Sequence, residues 1–196
     1  YKDFALWQRH YLTGSKLEEQ LNYWKDKLSS YETLSLVTDY TRPKEIDYRG
    51  RDVYFVLDKN VSLSLRELAK ELKVSLYSLL LSGYYLMLRA YSNQDDIVIG
   101  TPVANRHYAQ IENLIGFFVN SLALRTNIDT NSTIKEFIQK IGEEVVQAQL
   151  HQDLPFEKLV EELNIAKDTS RHPIFQVMFG VQSFGAEIEN QSDKQK

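Results

Sequence analysis

Apolar residues recur at helical spacing along several stretches of the chain. Near the N-terminus, Leu17, Leu21 and Trp24 lie at i, i+4 and i+7, which places them on one face of a helix. The stretch at 75–91 is apolar nearly all round, which is typical of a helix buried between layers. We predict helices over residues 3–12, 17–28, 65–72, 75–91, 134–148 and 156–163.

Other stretches have the pattern of β-strands. Residues 96–104 form a nearly continuous β-branched run that ends at Gly-Thr-Pro, which favours a central strand covered on both faces. We predict strands over residues 51–58, 96–104, 117–125 and 174–183. The order of helices and strands predicts an α/β domain with a mixed β-sheet and helices on at least one face.

Local signals mark where helices begin. Ser15 with Glu18, and Thr133 with Glu136, each have the spacing of a capping box, in which a hydroxyl and a carboxylate satisfy free N–H groups. Pro155 stands where the last predicted helix starts, a position that suits proline.

Two stretches have no periodicity. We interpret residues 29–48 as an extended crossing segment or linker, because Thr-Arg-Pro interrupts them. Residues 1–184 then form one folded unit, and the polar residues 185–196 form a linker or tail. Because the chain begins at Tyr1 and not at methionine, we expect it to be a piece of a longer protein.

Composition narrows the function. The 196 residues include 23 Lys+Arg and 27 Asp+Glu, a net charge of −4 without a basic stripe, which argues against nucleic acid as the main partner. The absence of cysteine excludes disulfides and thiolate catalysis and favours a reducing, cytoplasmic location. Residues 76–91 are interrupted by serine, glycine and arginine, so we predict no membrane span.

Histidine is the usual base near neutral pH, and the chain has four. His151, with Asp153 to orient its ring, is one candidate base. The alternative is a helix-to-helix connection in which Asp153 caps the next helix and Pro155 opens it. The histidines do not stand at metal-ligand spacings from one another: they are His10, His107, His151 and His172.

Polar residues in or near predicted strands also have two interpretations. Alternation puts Asn120 on the same strand face as Phe118 and Leu122, and a buried amide without hydrogen bonds costs about 1–3 kcal/mol. Asn120 is therefore either tied to a neighbouring strand or faces a channel and holds a substrate. Arg125 and Arg171 suit ordinary ion pairs. The residues by themselves define no self-contained active site.

Four short motifs together resemble the condensation domains of nonribosomal peptide synthetases, enzymes of antibiotic biosynthesis. The motifs occur in that family's order and spacing, and the stretch DDIVIGTPVAN, which ends at Asn105, is similar as well. They are Tyr1-x-Asp3-Phe4-Ala5-x-Trp7, Ile115–Ser121 (IGFFVNS) running on to Arg125, His151–Glu157 (HQDLPFE) and Asp168–Ile174 (DTSRHPI).

The resemblance does not extend to the family's hallmark. Condensation domains consist of two chloramphenicol-acetyltransferase-like lobes across a tunnel, and the catalytic histidine belongs to an HHxxxDG motif in the first lobe. This sequence has no adjacent histidines. The resemblance therefore implies the second, C-terminal lobe alone, without a catalytic residue or a metal site and inactive by itself.

The reaction that the resemblance implies is amide-bond formation between an acyl or peptidyl thioester and an aminoacyl thioester. Both would be carried on phosphopantetheine arms of carrier proteins, so no cofactor would bind this lobe directly. The implied partners are the missing N-terminal lobe, upstream and downstream peptidyl carrier proteins and an adjacent adenylation domain, without nucleic acid or membrane. Two alternatives stay open: a non-catalytic lobe that docks carrier proteins, and a lobe of an epimerisation domain.

The same resemblance implies that this lobe supplies tunnel wall and not a base. Asn120 would face the reaction centre, and Phe118 and Trp7 would line the tunnel. The other motif residues would stabilise the lobe or gate the tunnel: Asp3, Gly116, Arg125, Gln152, Asp153 and Arg171.

Overall fold

The computed structural model of the chain describes residues 1–106, 108–165 and 168–182. His107 and the predicted linker at 185–196 lie outside the described residues. In chain order the elements are α1 (Lys2–Tyr11), α2 (Gly14–Lys27), α3 (Lys59–Glu71), α4 (Leu76–Ser92), β1 (Asp96–Val103), a 3-10 turn (Ala109–Ile111), β2 (Asn120–Asn127), α5 (Ile134–Leu150) and α6 (Phe156–Glu162).

Strands β1 and β2 form an antiparallel pair at the centre of the fold. Ile97, Val98 and Ile99 of β1 are at most 1% exposed. Because successive side chains of a strand point to opposite faces, both faces of the sheet are covered here. This confirms the prediction of a central strand.

The C-terminal stretch 174–183, predicted as a strand, joins β1 by one parallel bridge at Gly100 within its described part. The Gly100 N–H donates to the Val177 carbonyl oxygen (2.9 Å), and the Gly100 carbonyl oxygen accepts from the Phe179 N–H (2.8 Å). The next position of β1 that faces this segment is Pro102, which has no N–H to continue the ladder. The sheet is therefore mixed, as predicted, but a bridge replaces the predicted full strand.

One continuous apolar core joins the sheet to the helices on it. Trp24 of α2 and Tyr85 of α4 are each 1% exposed within it. The Tyr85 hydroxyl donates to the Leu124 carbonyl oxygen of β2 at 2.7 Å, and the Trp24 Nε1 donates to the His151 carbonyl oxygen at 2.8 Å. The two largest polar aromatic side chains of the core are thus satisfied, as buried hydroxyl and indole groups require.

The predicted helix starts have different outcomes. At α5, the Thr133 N–H donates to the Glu136 carboxylate (2.8 Å) and the Glu136 N–H donates to the Thr133 hydroxyl (3.2 Å), which confirms the capping box. The prediction for Ser15 with Glu18 is wrong. Because α2 already begins at Gly14, Ser15 lies inside the helix, and the α2 N-cap has no side-chain hydrogen bond.

The predicted full burial of α4 is also wrong. Leu81, Tyr85 and Leu88 face the core, but Met87 is 45% exposed and Tyr91 is 71% exposed. The described part of this chain covers α4 on one side only.

The interpretation of residues 29–48 as a crossing segment agrees with their irregular structure. Leu34 is buried in the core, and two N–H groups of the segment are bound by side chains near the start of β1. Glu32 N–H donates to Asp96 (2.9 Å), and Ser35 N–H donates to Gln94 (2.7 Å).

The strand predicted at 51–58 does not form in this chain. The structure shows no regular element there, and Val53, Tyr54, Phe55 and Val56 are between 80% and 95% exposed. The residue types are those of a strand, but a strand also needs an edge to pair with, and the described part of this chain does not supply one.

Candidate functional site

The four sequence motifs, which are far apart in the chain, meet in one place. The Phe4 and Phe118 rings lie 4.8 Å apart, the Tyr11 hydroxyl donates to Asp153 at 3.2 Å, and the Phe156 and His172 rings lie 5.5 Å apart. We call this convergence the motif junction. It comprises residues 1–11, 115–121, 151–157 and 168–175.

Asn120, the first residue of β2, connects two of these segments. Its Nδ2 donates to the carbonyl oxygens of Gln152 (2.9 Å) and Leu154 (2.8 Å). Its Oδ1 accepts from the N–H of Phe156 (3.0 Å) and from the N–H of Ser121 (2.9 Å). Since α6 begins at Phe156, the Asn120 amide caps that helix from a different element.

These bonds favour the structural interpretation of Asn120. A side-chain amide has two N–H donors and one oxygen with two lone pairs, and all four are used within the chain. Asn120 is also only 9% exposed. A substrate carbonyl would have to displace one of the existing hydrogen bonds. Its predicted contact with substrate stays a prediction.

Phe118 and Trp7, the other two predicted tunnel residues, belong to an aromatic cluster beside α1. Phe118 is 3% exposed and packs edge-on against Phe4 and Tyr1. Trp7 is 37% exposed and stacks on Tyr11 at 4.8 Å. Of the two, Trp7 has surface that a substrate could contact, and the tunnel role of both stays a prediction.

Three exposed apolar side chains alternate with the buried side chains of the same motif. Ile115 is 98% exposed, Phe117 is 76% exposed and Val119 is 50% exposed. Phe118, which lies between Phe117 and Val119, and Asn120, which follows Val119, are buried. We call Ile115, Phe117 and Val119 the exposed strip, because these three apolar side chains of one motif are exposed on the surface of the junction.

Arg106 is a site residue that the sequence analysis missed. Its guanidinium donates to the carbonyl oxygens of Ile111 and Leu114 at 2.7 Å each and of Gly116 at 3.3 Å. Its Cζ atom also lies 4.3 Å from the centre of the Phe118 ring, a cation–π distance. A cation that binds loop carbonyl groups leaves no periodic signal in a sequence, so only the folded loop reveals it.

Gly116 lies against the Tyr1 ring, Gln152 binds the end of α5, and Asp3 lies at the edge of the junction. A Cβ atom on Gly116 would lie 2.6 Å from the Tyr1 ring and 2.9 Å from the Phe118 ring, so a larger residue would have to displace them. The Gln152 Nε2 donates to the Gln149 carbonyl oxygen at 2.8 Å, at the end of α5. Asp3 is exposed in the first turn of α1, where a negative charge interacts favourably with the helix dipole.

His151 ends α5, and its ring is held by neighbours other than Asp153. It stacks on Tyr23 with a ring separation of 3.8 Å. Its Nδ1 lies 2.8 Å from the Gln147 carbonyl oxygen, and since a carbonyl only accepts, Nδ1 is the donor. Asp153 therefore does not orient the ring through that nitrogen, and the geometry favours the helix-to-helix interpretation.

One part of that interpretation is corrected. Pro155 does precede α6, but the Phe156 N–H is bound by Asn120 and not by Asp153. Asp153 instead accepts from the Tyr11 hydroxyl at 3.2 Å. Its carboxylate thus connects the 151–157 loop to α1.

Arg125 forms a nearly buried, bidentate ion pair with Asp96 of β1. Its Nε and Nη2 donate to the two carboxylate oxygens at 2.7 and 2.8 Å, and the side chains are 19% and 8% exposed. Its Nη1 donates to the carbonyl oxygens of Lys27 (3.0 Å) and Ser29 (2.7 Å). The hydrogen bonds with Asp96 raise the pKa of Arg125. Arg125 thus ties both strands to the end of α2.

Arg171 is a partly exposed residue of a local turn. Its Nε lies 3.8 Å from Asp168, and exposed pairs of this kind contribute little stability. The Asp168 carboxylate accepts from the hydroxyl (2.6 Å) and the N–H (2.8 Å) of Ser170, and these bonds lower the pKa of Asp168.

Burial raises the pKa of several tyrosines, in the junction and elsewhere in the fold. The pKa of Tyr23 is raised to about 12, first by burial and then by the Glu144 carboxylate. The pKa of Tyr11 is raised by burial and by Asp153, although its hydrogen bond with Tyr108 acts in the opposite direction. The other tyrosines whose pKa is raised are Tyr31, Tyr77, Tyr84, Tyr85 and Tyr108.

We expect the chain to lose stability as the pH rises above about 10, the ordinary pKa of tyrosine. These tyrosines ionise first in the unfolded chain, because their pKa values are raised in the folded chain, so each of them lowers the free energy of unfolding by up to about 1.4 kcal/mol per pH unit. For Tyr23 this continues to a pH of about 12. Urea unfolding at pH 9, 10 and 11 measures how the free energy of unfolding falls with pH, and Tyr23→Phe should make this fall smaller. A free energy of unfolding that stays unchanged up to pH 11 would contradict the prediction.

The described residues contain no group of three or more His, Asp or Glu side chains that could hold a metal ion. Their hydrogen bonds pair no serine or threonine hydroxyl with a histidine ring. None of the helices in the described ranges has the length and apolar character needed to cross a membrane.

Comparison with known proteins decides the family. The model of the family described as Condensation domain matches residues 1–196. The chain belongs to this family. The four motifs are therefore motifs of a condensation domain, and the resemblance seen in the sequence is confirmed.

Relatives and solved structures agree with this assignment. The condensation chain is 48% identical over 183 residues to N-(5-amino-5-carboxypentanoyl)-L-cysteinyl-D-valine synthase of Amycolatopsis lactamdurans, covering 93% of this chain and 5% of that protein. It is similar to the X-domain from teicoplanin biosynthesis, solved in complex with OxyB, at a TM-score of 0.83 and 27% identity, over 90% of this chain and 40% of that one.

A third comparison concerns the fold alone. The condensation domain of the Monacolin K polyketide synthase MokA matches at a TM-score of 0.81 and 22% identity, over 91% of this chain and 44% of that one. The predicted α/β condensation fold is confirmed. The chain spans less than half of each solved chain and about one-twentieth of the curated relative.

Proposed function

We propose that this condensation-family chain forms part of a domain that joins an acyl or peptidyl thioester to an aminoacyl thioester through an amide bond. The observation that carries the proposal is the family match over residues 1–196. The 48% identical relative supports it, because the product in its name consists of amino-acid units joined by amide bonds.

The reaction needs little chemical assistance beyond positioning. The neutral amine attacks the thioester carbonyl carbon, a C–N bond forms, the C–S bond breaks, and the thiol of the donor arm leaves with the proton that the amine loses. An α-amine has an ordinary pKa of about 7.7–8.0, so part of it is neutral at pH 7. Holding two tethered reactants in line can supply about 7 kcal/mol or more of the barrier.

The contribution of this lobe is a rigid wall. The exposed strip and the open side of Trp7 supply apolar surface, and they are fixed from behind by the amide of Asn120 and the guanidinium of Arg106. Neither residue has to move a proton. The base or positioning histidine would come from the HHxxxDG motif outside this chain.

The partners and cofactor follow from the same proposal. Carrier proteins would bring phosphopantetheine to the tunnel from two sides, an adenylation domain would load one of them, and the N-terminal lobe would complete the tunnel. A cytoplasmic location stays a prediction, which rests on the absence of cysteine from the sequence.

We expect the complete condensation domain of the parent synthetase to form a dipeptidyl thioester from two loaded carrier proteins, and residues 1–196 alone to form none. Mass spectrometry of the acceptor carrier protein measures the product. A catalytically inactive complete domain that is correctly folded would contradict the proposal, as would product formed by residues 1–196 alone.

A second candidate is a lobe that docks another protein without catalysis. The observation that favours it is the similar X-domain, which was solved in complex with OxyB. The same assay distinguishes the two candidates. A docking lobe would bind a partner protein, but its complete domain would leave both thioesters unchanged.

A further inference from the structure

A cavity of about 530 Å³ lies beside the exposed strip, where β1 ends and β2 begins. Val119 of the strip forms part of its wall, and the buried side chains of Leu122 in β2 and Val145 in α5 form another part. The volume is within the range of about 300–1,000 Å³ that is usual for small-molecule sites. We call this space the strip cavity.

A second cavity, of about 740 Å³, lies between α5 and the connection from α3 to α4. It shares three wall residues with the strip cavity, namely Tyr77, Val145 and Gln149. These side chains therefore form the boundary between the two cavities. Tyr77 is the largest of the three, so its ring is the main barrier between them.

The Tyr77 ring is held in place from several sides. It lies in the first turn of α4, which the Ser75 hydroxyl caps by accepting from the Ser78 N–H at 3.0 Å. The Tyr77 hydroxyl donates to the Thr101 hydroxyl of β1 at 2.8 Å, and its ring lies 5.4 Å from that of Phe179. The barrier is thus a fixed part of the fold.

The chemistry of the strip cavity indicates which ligand it suits. Among the described residues that line it, none has a charged side chain. Its two hydroxyl groups, those of Tyr77 and Thr101, bind each other. A charged group would lose its water here without gaining an ionic partner, which is costly. The cavity therefore suits an uncharged aliphatic or aromatic group.

We propose that the strip cavity receives the apolar side chain of a thioester substrate, and that the Tyr77 ring sets how long this side chain can be. The inference rests on the proposed amide-forming function and adds a substrate class to it. A substrate that lies along the exposed strip would reach the cavity at Val119. Without the Tyr77 ring the two cavities would join, and a longer side chain would fit.

A competition experiment with the complete condensation domain of the parent synthetase tests the inference. Donor carrier proteins loaded with alanine, norleucine or 2-aminodecanoic acid compete in equal amounts for a glycyl acceptor carrier protein. A second arm varies the acceptor in the same way and keeps glycine on the donor. Mass spectrometry gives the ratio of the dipeptidyl products, which is independent of the folded fraction because all substrates compete for the same enzyme.

We expect Tyr77→Ala to raise the ratio of the 2-aminodecanoyl product to the alanyl product at least about 10-fold in one of the two arms. The arm that responds identifies the substrate whose side chain enters the cavity. Tyr77→Phe keeps the ring and removes only the hydroxyl, so its ratio should stay within about twofold of the wild type.

Tyr84→Ala is the matched control. Tyr84 lies in the same helix, is partly buried like Tyr77 and has its ring 5.5 Å from Phe179, but it lines neither cavity. Its ratio should stay within about twofold of the wild type, since the change removes a similar ring contact away from both cavities.

A second variant changes the cavity in the opposite direction. Ala104 is an exposed residue of the cavity wall, so a larger side chain there does not disturb the core. Ala104→Leu should narrow the cavity and lower the ratio of the norleucyl product to the alanyl product at least about 10-fold in the arm that responds to Tyr77→Ala.

The outcomes that contradict the inference are separate from those that contradict the proposed function. An unchanged ratio for Tyr77→Ala in both arms would overturn the inference, as would an equal rise for Tyr84→Ala. Where Tyr77→Ala does not fold, an unchanged ratio for Ala104→Leu in both arms would overturn it. Absence of product from the wild type with every substrate pair would contradict the proposed function, and the inference with it.

Discussion

Replacing Arg125 with alanine is expected to lower the free energy of unfolding of the chain by about 3–5 kcal/mol. The cause is the carboxylate that the change leaves behind, since Asp96 is 8% exposed and loses both hydrogen bonds from the guanidinium. The carbonyl oxygens of Lys27 and Ser29 lose a donor as well. Urea unfolding followed by the fluorescence of the buried Trp24 measures the loss.

Arg89→Ala is the matched control, because Arg89 pairs with Asp95, next to Asp96, and the two side chains are 38% and 50% exposed. We expect that change to cost less than about 1 kcal/mol. Arg125→Lys should fall between the two, since lysine keeps the charge but lacks the planar fork that binds both carboxylate oxygens. Equal losses for Arg125→Ala and Arg89→Ala would contradict the structural role of the pair.

Replacing Asn120 with alanine is expected to cost about 2–4 kcal/mol of unfolding free energy. The Phe156 N–H would lose its cap, and the carbonyl oxygens of Gln152 and Leu154 would lose a donor. The cost comes from these buried groups, which no longer have partners, more than from the bonds themselves. Urea unfolding of the variant measures it.

Asn127→Ala controls for the residue type and the strand, since Asn127 is an exposed residue at the other end of β2. It should change the stability by less than about 0.5 kcal/mol. Asn120→Asp is a second test. The aspartate still accepts from the Phe156 N–H, but it has no N–H to donate to the carbonyl oxygens of Gln152 and Leu154. We therefore expect Asn120→Asp to be as destabilising as Asn120→Ala. An Asn120→Ala variant with unchanged stability would contradict the structural interpretation of Asn120 and favour a contact with substrate.

The elements that local sequence determines could be predicted. Helix α5 has both a capping box at Thr133 and an apolar stripe, and both signals lie within the element itself. Strand β1 has a continuous run of buried residues, which is typical of a strand with neighbours on both faces. These signals can be recognised without any knowledge of the rest of the protein.

The elements that need a distant partner could not be predicted. Residues 51–58 have strand-forming side chains, but pairing requires a sheet edge that the described part of the chain does not supply. Arg106 binds carbonyl groups of a loop whose shape exists only after folding. Asp153 has the residue type and position of an N-cap in the sequence, but in the folded chain Asn120 accepts the hydrogen bond from the Phe156 N–H.

The site could be predicted as a set of residues but not as a set of roles. The motifs do meet in one place, and the side chains within them mostly bind one another. The exposed strip of Ile115, Phe117 and Val119 and the exposed side of Trp7 are apolar surfaces of the junction that a substrate could contact. A side chain can be central to a motif because it holds the backbone of its neighbours, and sequence alone does not separate this role from contact with substrate.

We propose that this lobe gives a condensation domain its scaffold and not its catalytic groups. The decisive measurement is the turnover per folded molecule of the complete domain with Asn120→Ala. It is obtained as the dipeptidyl thioester formed, divided by the folded fraction. We expect a value within about twofold of the wild type, together with a clear loss of unfolding free energy. A fall of about tenfold or more in turnover per folded molecule, at unchanged stability, would contradict it.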